Sequence, residues 1–485
     1  MTVSVRPLEL TMTTLQPPQP LSRRAMLQRS AAGFGNVALA AMLAGESATA
    51  AGSTDSAAVK QPHFPARARR VLFLFMSGGP SQVDTFDPKP LLTRDDGKKY
   101  PFEEPRIKFG ETANLLKSPW KFRQYGQSGL PVSDLFPNIG RCVDDLCIIR
   151  SIHGTNPAHG GAVLKLHTGS DTQIRPSIGS WITYGLGSEN ENLPGFITIC
   201  PTLAFGGVNN WGAAFLPADC QGTPIGNAAI SSEQATVKHI RNARLSVAEQ
   251  RAQLDLLAAM NREHLQTAGA DRALEGRIHS FELAFRMQTA MPEAQDVGGE
   301  TESMHKLYGM DNPITSGFGR QCLMARRFLE RGVRFVQVTH NDTEVQWDQH
   351  SNLYKGHSKN AAEVDRPIAG LLTDLKSRGL LDDTLVVWGS EFGRTPTAQS
   401  NDGRDHNPHG FTMWLAGGGV KPGIAYGATD DYGYFAQENK VHIHDLHATI
   451  LALLGLHHEQ LTYQHAGRNF RLTDVEGNVV REIMA

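Results

Sequence analysis

At 485 residues, with 40% hydrophobic and 20% charged positions, the chain has room for one large α/β domain or two to three ordinary ones, and its composition is that of a globular protein. A formal net charge of -2 leaves no electrostatic footprint for nucleic acid. Five cysteines (Cys142, Cys147, Cys200, Cys220, Cys322) are too few and too scattered for a disulfide framework or a thiolate zinc site, whereas nineteen histidines, many in polar loops, favour metal chemistry.

The chain opens with Ser22-Arg23-Arg24-Ala25-Met26-Leu27-Gln28, a weakly apolar run from Gly33 to Gly45, and the small-residue stretch Ala48-Thr49-Ala50-Ala51. A charged start, a short apolar region and an Ala-x-Ala cleavage site read as a twin-arginine export signal. Residues 1–50 are therefore set aside from the fold, and residues 51–68 read as a flexible connector to a domain spanning 69–485. The expected partner of this segment is the twin-arginine export machinery. The expected location is periplasmic or secreted, with no stable membrane anchor.

The domain begins with Val71 to Met76, an uncharged apolar run that stops at Ser77-Gly78-Gly79-Pro80-Ser81, the profile of a central parallel strand and a tight loop into a helix. Leu91 to Val132 is polar, rich in Gly and Pro, and reads as irregular. Further strands are expected at Leu146 to Arg150, Phe196 to Cys200, Val333 to His340 and Leu385 to Trp388. The composition between Ser231 and Gln295 predicts amphipathic helices, and more are expected over Ala162 to His167, Ala361 to Leu380 and, with Asp445 as N-cap, up to Gly455. Alternation of buried strands and helices gives an α/β class with a mostly parallel sheet.

Candidate chemistry gathers where these strands end. His159 lies just before the helix predicted from Ala162, whose N-terminus would face any anion above the sheet. Asp348 and His350, if extended, point to the same side and suit zinc or manganese. Glu391 and Arg394 follow the Leu385 strand, and Arg404, Asp405, His406 and His409 lie in a Gly-, Asn- and Asp-rich segment expected to be a loop. The histidines of 442–447 read mainly as packing residues.

Taken in order, the strand and Gly-Gly at 71–79, the Leu-x-Thr-Gly at 166–169, Asp348-x-His350, the acid-Phe-Gly at 391–393, His406-x-x-His409 and the Asp-Leu-x-x-Thr-Ile-Leu helix from 445 resemble the alkaline phosphatase and sulfatase superfamily. More closely, the chain resembles its twin-arginine-exported, sulfatase-like bacterial family of unknown function, through Gly-Gly-Pro-Ser-x-x-Asp-Thr-Phe-Asp-Pro-Lys at 78–89 and Gly-Arg-Asp-His at 403–406. The resemblance implies an alkaline-phosphatase-like, doubly wound sandwich with helices on both faces and metal-dependent hydrolysis of sulfate or phosphate esters, on small molecules or polysaccharide. It also marks departures. Ser77 stands where an aspartate ligand is usual, His159 where the nucleophile is usual, and Glu391-Phe392 keeps one of two paired ligands. What remains is one divalent ion (zinc, manganese or calcium) on Asp348, His350 and His406 or His409, with Glu391 the retained acid. Arg394 or Arg404 would hold the anion, and His159 would be nucleophile or general acid. The alternative is a catalytically inactive, sulfatase-like binding protein for anionic polysaccharide.

Overall fold

Seven consecutive residues without a solvated face, Arg70–Met76 (β1), form the middle of the molecule, and their alternation divides it into two layers. Leu72, Leu74 and Met76 face one hydrophobic cluster, whereas Val71, Phe73 and Phe75 face the other. Period-two side chains buried on both faces are the signature of a sheet covered twice. The computed structural model describes residues 59–485 except 106–107, 243, 269–270 and 341–345. The export signal and the first part of the connector lie outside the described residues.

In chain order the sheet takes β1, then Leu146–His153 (β2), Phe196–Ile199 (β3), Thr223–Ile225 (β4), Phe335–His340 (β5) and Thr384–Gly389 (β6). A hairpin of Gly393–Gln399 (β7) and Gly403–Asn407 (β8) stands apart from it, and Phe411–Ala416 (β9), Ile424–Tyr426 (β10) and Val441–His442 (β11) return to it. The nine-stranded order is β10-β2-β9-β6-β1-β5-β3-β4, with β11 also beside β2. Only β9 runs antiparallel to its neighbours, β2 and β6. The class is α/β with a mostly parallel sheet, as the sequence indicates.

Helices His159–Thr168 (α1), Ile178–Leu186 (α2) and Ile443–Leu453 (α7) bury Leu166, Ile182 and Leu451 against the Phe73 side. Arg272–Gln295 (α4), Ser316–Glu330 (α5) and Leu353–Ser377 (α6) bury Met291, Leu323 and Leu371 on the Leu72 side, and Val247–Ala268 (α3) packs on α4. Each such side chain contributes roughly 1.5–3 kcal/mol by leaving water. Among the described helices none is long and apolar enough to cross a membrane.

Several expectations shift in position. The helical segment begins at Val247, not Ser231, and α6 begins eight residues earlier than Ala361 because its first turns pack around buried His357. Asp445 is not the N-cap of α7; His442 is, and Asp445 completes a capping box by accepting the His442 N–H. Residues 60–68, read as flexible connector, are docked: Lys60 N–H donates to Leu186 O, and Arg67 and Ala68 N–H donate to Leu453 O.

Two histidines in these layers are fully buried as neutral imidazoles. His357 accepts the Ser81 N–H at 3.0 Å, and His167 sits edge-on to Phe75 with its Nδ1–H donating to Val163 O at 2.8 Å. Burial pushes them to about 3 and about 4. Both protonate once the chain unfolds below the ordinary histidine value near 6.5, so stability falls as pH drops toward their folded values. Between pH 7 and pH 5 the loss is about 2 kcal/mol per histidine. Urea midpoints measured at the two pH values will show this fall, and His357→Gln will remove its share of it.

Candidate functional site

The carboxyl ends of β1 and β6 converge on one carboxyl group. Past β1, Gly78 and Gly79 adopt φ of +112° and +87°, and a Cβ on Gly79 would lie 2.8 Å from the Phe392 ring. This close approach lets the Gly78 N–H donate to both oxygens of Glu391, at 3.0 and 3.2 Å, and the Gly79 N–H donate to Ser390 Oγ. Glu391 is wholly buried. Burial alone would raise its proton affinity, but the hydrogen bond and charge of His159 prevail and hold it below the ordinary carboxylate value.

His159 is the first residue of α1, brought there by a turn in which Asn156 Oδ1 accepts the Ala158 N–H. Its Nδ1 lies 2.7 Å from Glu391 Oε1. Because that carboxylate only accepts, Nδ1 carries a proton, and Nε2 turns toward Asp348 Oδ2, 3.2 Å away; burial lowers the proton affinity of the ring, but Asp348 and Glu391 prevail and raise it above the ordinary histidine value. His406 repeats the pattern: Nδ1 is 2.6 Å from the Pro157 carbonyl, which can only accept, and Nε2 is 3.0 Å from Asp348 Oδ1. Burial pushes His406 down to about 3, so at neutral pH its Nε2 lone pair faces a carboxylate oxygen. His350 is a third case. Its Nδ1 contacts Gln399 Oε1, and Nε2 lies 2.8 Å from Asp348 Oδ1.

Three imidazoles thus have Nδ1 engaged by acceptors and Nε2 aimed at one carboxylate. Acceptors in contact repel each other unless a cation or proton lies between them. One ligand atom from each of His159, Asp348 and His406 lies within 4.8 Å of the others, the span of a divalent-ion site, and His350 closes its solvent side with 30% of its side chain exposed. Glu391, Pro157 O and Gln399 are the outer partners that fix ring orientation in such sites. Asp348 is anionic: burial opposes this, but the charge of the Arg394 guanidinium, 2.6 Å away, helps to hold it far below the ordinary range.

Several expected roles move. Asp348, His350 and His406 do come together, although Trp347–His350 is a turn, with Gln349 N–H donating to Trp347 O and His350 N–H to Asp348 O, and not an extended strand. The segment carrying Arg404 and His406 is the strand β8, paired with β7, and not a loop. Glu391 meets His159 Nδ1, and the atoms grouped closely enough to hold an ion are those of His159, Asp348 and His406. His409 is outside it: beyond the end of β8, its backbone bonds Asn407 and Ala436, and its ring packs 5.6 Å from Phe435.

Neither arginine is free to hold an anion. Arg394 is fully buried and donates to Asp348 Oδ1 at 2.6 Å and to the carbonyls of Gly78, Gly79, Trp347 and Arg404. Arg404, also fully buried, pairs with Asp84 at 2.7 Å and donates to Thr395 O and Leu116 O. Breaking such a buried pair from one side costs about 3–5 kcal/mol. Donors open to an anion among the described residues include the first N–H groups of α1, which no side chain caps; beside Gly160 a Cβ would meet nothing within 4 Å.

The aromatic frame was not visible in the sequence. Phe392 lies 4.4 Å from the His406 ring and 4.8 Å from His159, while half-exposed Phe109 and Phe205 cover His406 at 4.3 Å and His159 at 4.7 Å. Phe109 is carried by a segment read as irregular, anchored where the Gly110 N–H donates to buried Asp405 at 2.8 Å.

A protein-family profile described as "Protein of unknown function (DUF1501)" matches residues 68–484. The chain belongs to this family. No curated protein matches it in sequence. Solved structures similar to this family member include Ps i-CgsB in complex with k-i-k-neocarrahexaose (11% identity, 80% of this chain and 72% of that one, TM-score 0.37). They also include the PsFucS1 sulfatase from Pseudoalteromonas sp. (14%, 80% and 68%, 0.35) and the alkaline phosphatase from the Antarctic bacterium TAB5 (10%, 81% and 99%, 0.31). The chemistry of the site rests on its own side chains.

If Glu391 sets the His159 tautomer, Glu391→Gln will weaken zinc binding about 10- to 100-fold with the fold intact, whereas His409→Ala will leave it unchanged. Calorimetric titration alongside circular dichroism checks both.

Proposed function

We propose that this protein is an exported, metal-dependent hydrolase of sulfate or phosphate esters, with one divalent ion held by His159, Asp348 and His406 and flanked by His350. The observation carrying this reading is the convergence of His159, Asp348 and His406, one ligand atom of each within 4.8 Å of the others. An ion there would supply Lewis acidity to an ester oxygen and an attacking water; the donor set of imidazoles and one carboxylate fits zinc or manganese better than calcium.

The protein's own residues divide the remaining work. Glu391 holds the proton of His159 on Nδ1 and keeps Nε2 available. Arg394 fixes the Asp348 carboxylate. The uncapped N–H groups at the start of α1 hold the ester anion, a role their partial positive charge suits. Phe109 and Phe205 border the opening and pack on the organic part of the ester. With both nitrogens of His159 engaged, water is the attacking group, and His159 is neither nucleophile nor general acid. The second reading, a non-catalytic binder of anionic polysaccharide, is favoured by an imidazole standing at the helix start where the related fold would put a nucleophile.

Zinc- or manganese-loaded protein will cleave 4-nitrophenyl sulfate or phosphate, chelation will abolish the rate, and readdition will restore it. Asp348→Asn will lower it by at least about 100-fold, a loss of about 2.7 kcal/mol of transition-state stabilisation. Binding of a sulfated polysaccharide with no cleavage of either ester by the loaded protein would replace this reading with the second. For export, Arg23→Lys with Arg24→Lys will retain the unprocessed chain in the cytoplasm, read by fractionation and immunoblot.

A further inference from the structure

The histidines of β11 and α7 pack less simply than their sequence indicates. His444 is 3% exposed, and its Nε2–H donates to the Gly169 carbonyl at 2.9 Å, which leaves Nδ1 as a lone pair. That Nδ1 makes no hydrogen bond, yet Glu476 Oε2 lies 2.8 Å from it. His442 Nδ1 lies 3.3 Å from the same oxygen and accepts the His444 N–H at 3.3 Å. The His444 lone pair and a carboxylate oxygen, two acceptors, therefore face each other. Among the described residues no lysine or arginine is paired with Glu476 to account for its place, whereas the other carboxylate on this segment, Asp474, has Arg175 and Arg468.

We infer that His442, His444 and Glu476 form a second divalent-metal site, with zinc the best match to two imidazoles and a carboxylate. One ligand atom of each lies within 4.8 Å of the others. His153 stands beside His442 across the β11–β2 pairing, ring centres 5.2 Å apart, and puts a third imidazole next to the set. The surroundings favour a cation. The carbonyls of Leu166 and Gly169, which orient His447 and His444, come from the carboxyl end of α1, the negative end of that helix.

This site is separate from the one around Asp348. His159 begins α1 and Gly169 follows its last turn, ten residues or about 15 Å along the axis. An ion bound here has a structural consequence. Glu476 belongs to the carboxyl-terminal segment, which already touches α7 through the Asn478 N–H to Asp445 Oδ1 at 2.7 Å. The metal would clip that segment to α7 and to the edge of the sheet.

The test compares zinc content and thermal midpoint after dialysis against micromolar zinc in wild type, in Glu476→Gln with His442→Ala, in Asp348→Asn, and in all three substitutions combined. His442 also caps α7, so circular dichroism of the double variant and the zinc content of Glu476→Gln alone accompany the comparison. The site predicts that the double variant carries one equivalent less than wild type, and the combined variant one less than Asp348→Asn. Zinc will raise the thermal midpoint of Asp348→Asn but not of the combined variant. Ester hydrolysis by the double variant will match wild type. Equal zinc content with and without the Glu476 and His442 substitutions, in both backgrounds, would overturn the inference whatever becomes of the site at Asp348.

Discussion

The Asp348 carboxylate is the point on which the site is built. Its two oxygens meet a guanidinium and three imidazole nitrogens that reach it from four stretches of chain: α1, the turn after β5, β7 and β8. Such a convergence holds only while positive charge balances it. Arg394 supplies one share, and it also fixes the β1 loop by bonding the carbonyls of Gly78 and Gly79. The same guanidinium therefore sets the position of the carboxylate and of the backbone that orients Glu391. Site geometry and loop geometry are one structure, and neither can shift alone.

A parallel sheet explains why these groups meet at all. β1, β5 and β6 run in the same direction side by side, so the loops after them emerge at one edge. The loop after β1 gives the two glycines, the turn after β5 gives Asp348 and His350, and the exit from β6 gives Glu391 and the hairpin bearing Arg394 and His406. α1 adds His159 and its uncapped first turn. An anion facing that turn and a cation at Asp348 would attract each other, which is the arrangement ester hydrolysis of a sulfate or phosphate needs.

Much of the fold was legible because burial on both faces leaves an unbroken apolar run: Val71 to Met76 and Leu385 to Trp388 are strands in the structure as in the sequence. The β7–β8 hairpin was not legible for the opposite reason. Arg404, Asp405 and His406 read as loop, yet all are buried, with Arg404 donating to the Thr395 and Leu116 carbonyls and the Asp405 N–H to Thr395 Oγ1. Asp348, His350 and His406 were found from residue type and position at strand ends. The roles of the arginines were not, because only the three-dimensional structure shows that Asp84 and Asp348 occupy them. His409, three residues from His406 in sequence, lies past a strand end and packs on Phe435 instead. Phe109 and Phe205 carried no signal, lying in segments without periodicity.

The most direct test of the central claim is a crystal of zinc-soaked protein measured on both sides of the zinc absorption edge. The account predicts an anomalous peak within about 2.0–2.2 Å of His159 Nε2, His406 Nε2 and an Asp348 oxygen. Density showing the Asp348 carboxylate hydrogen-bonded directly to these rings, with no anomalous peak among them at saturating zinc, would contradict it.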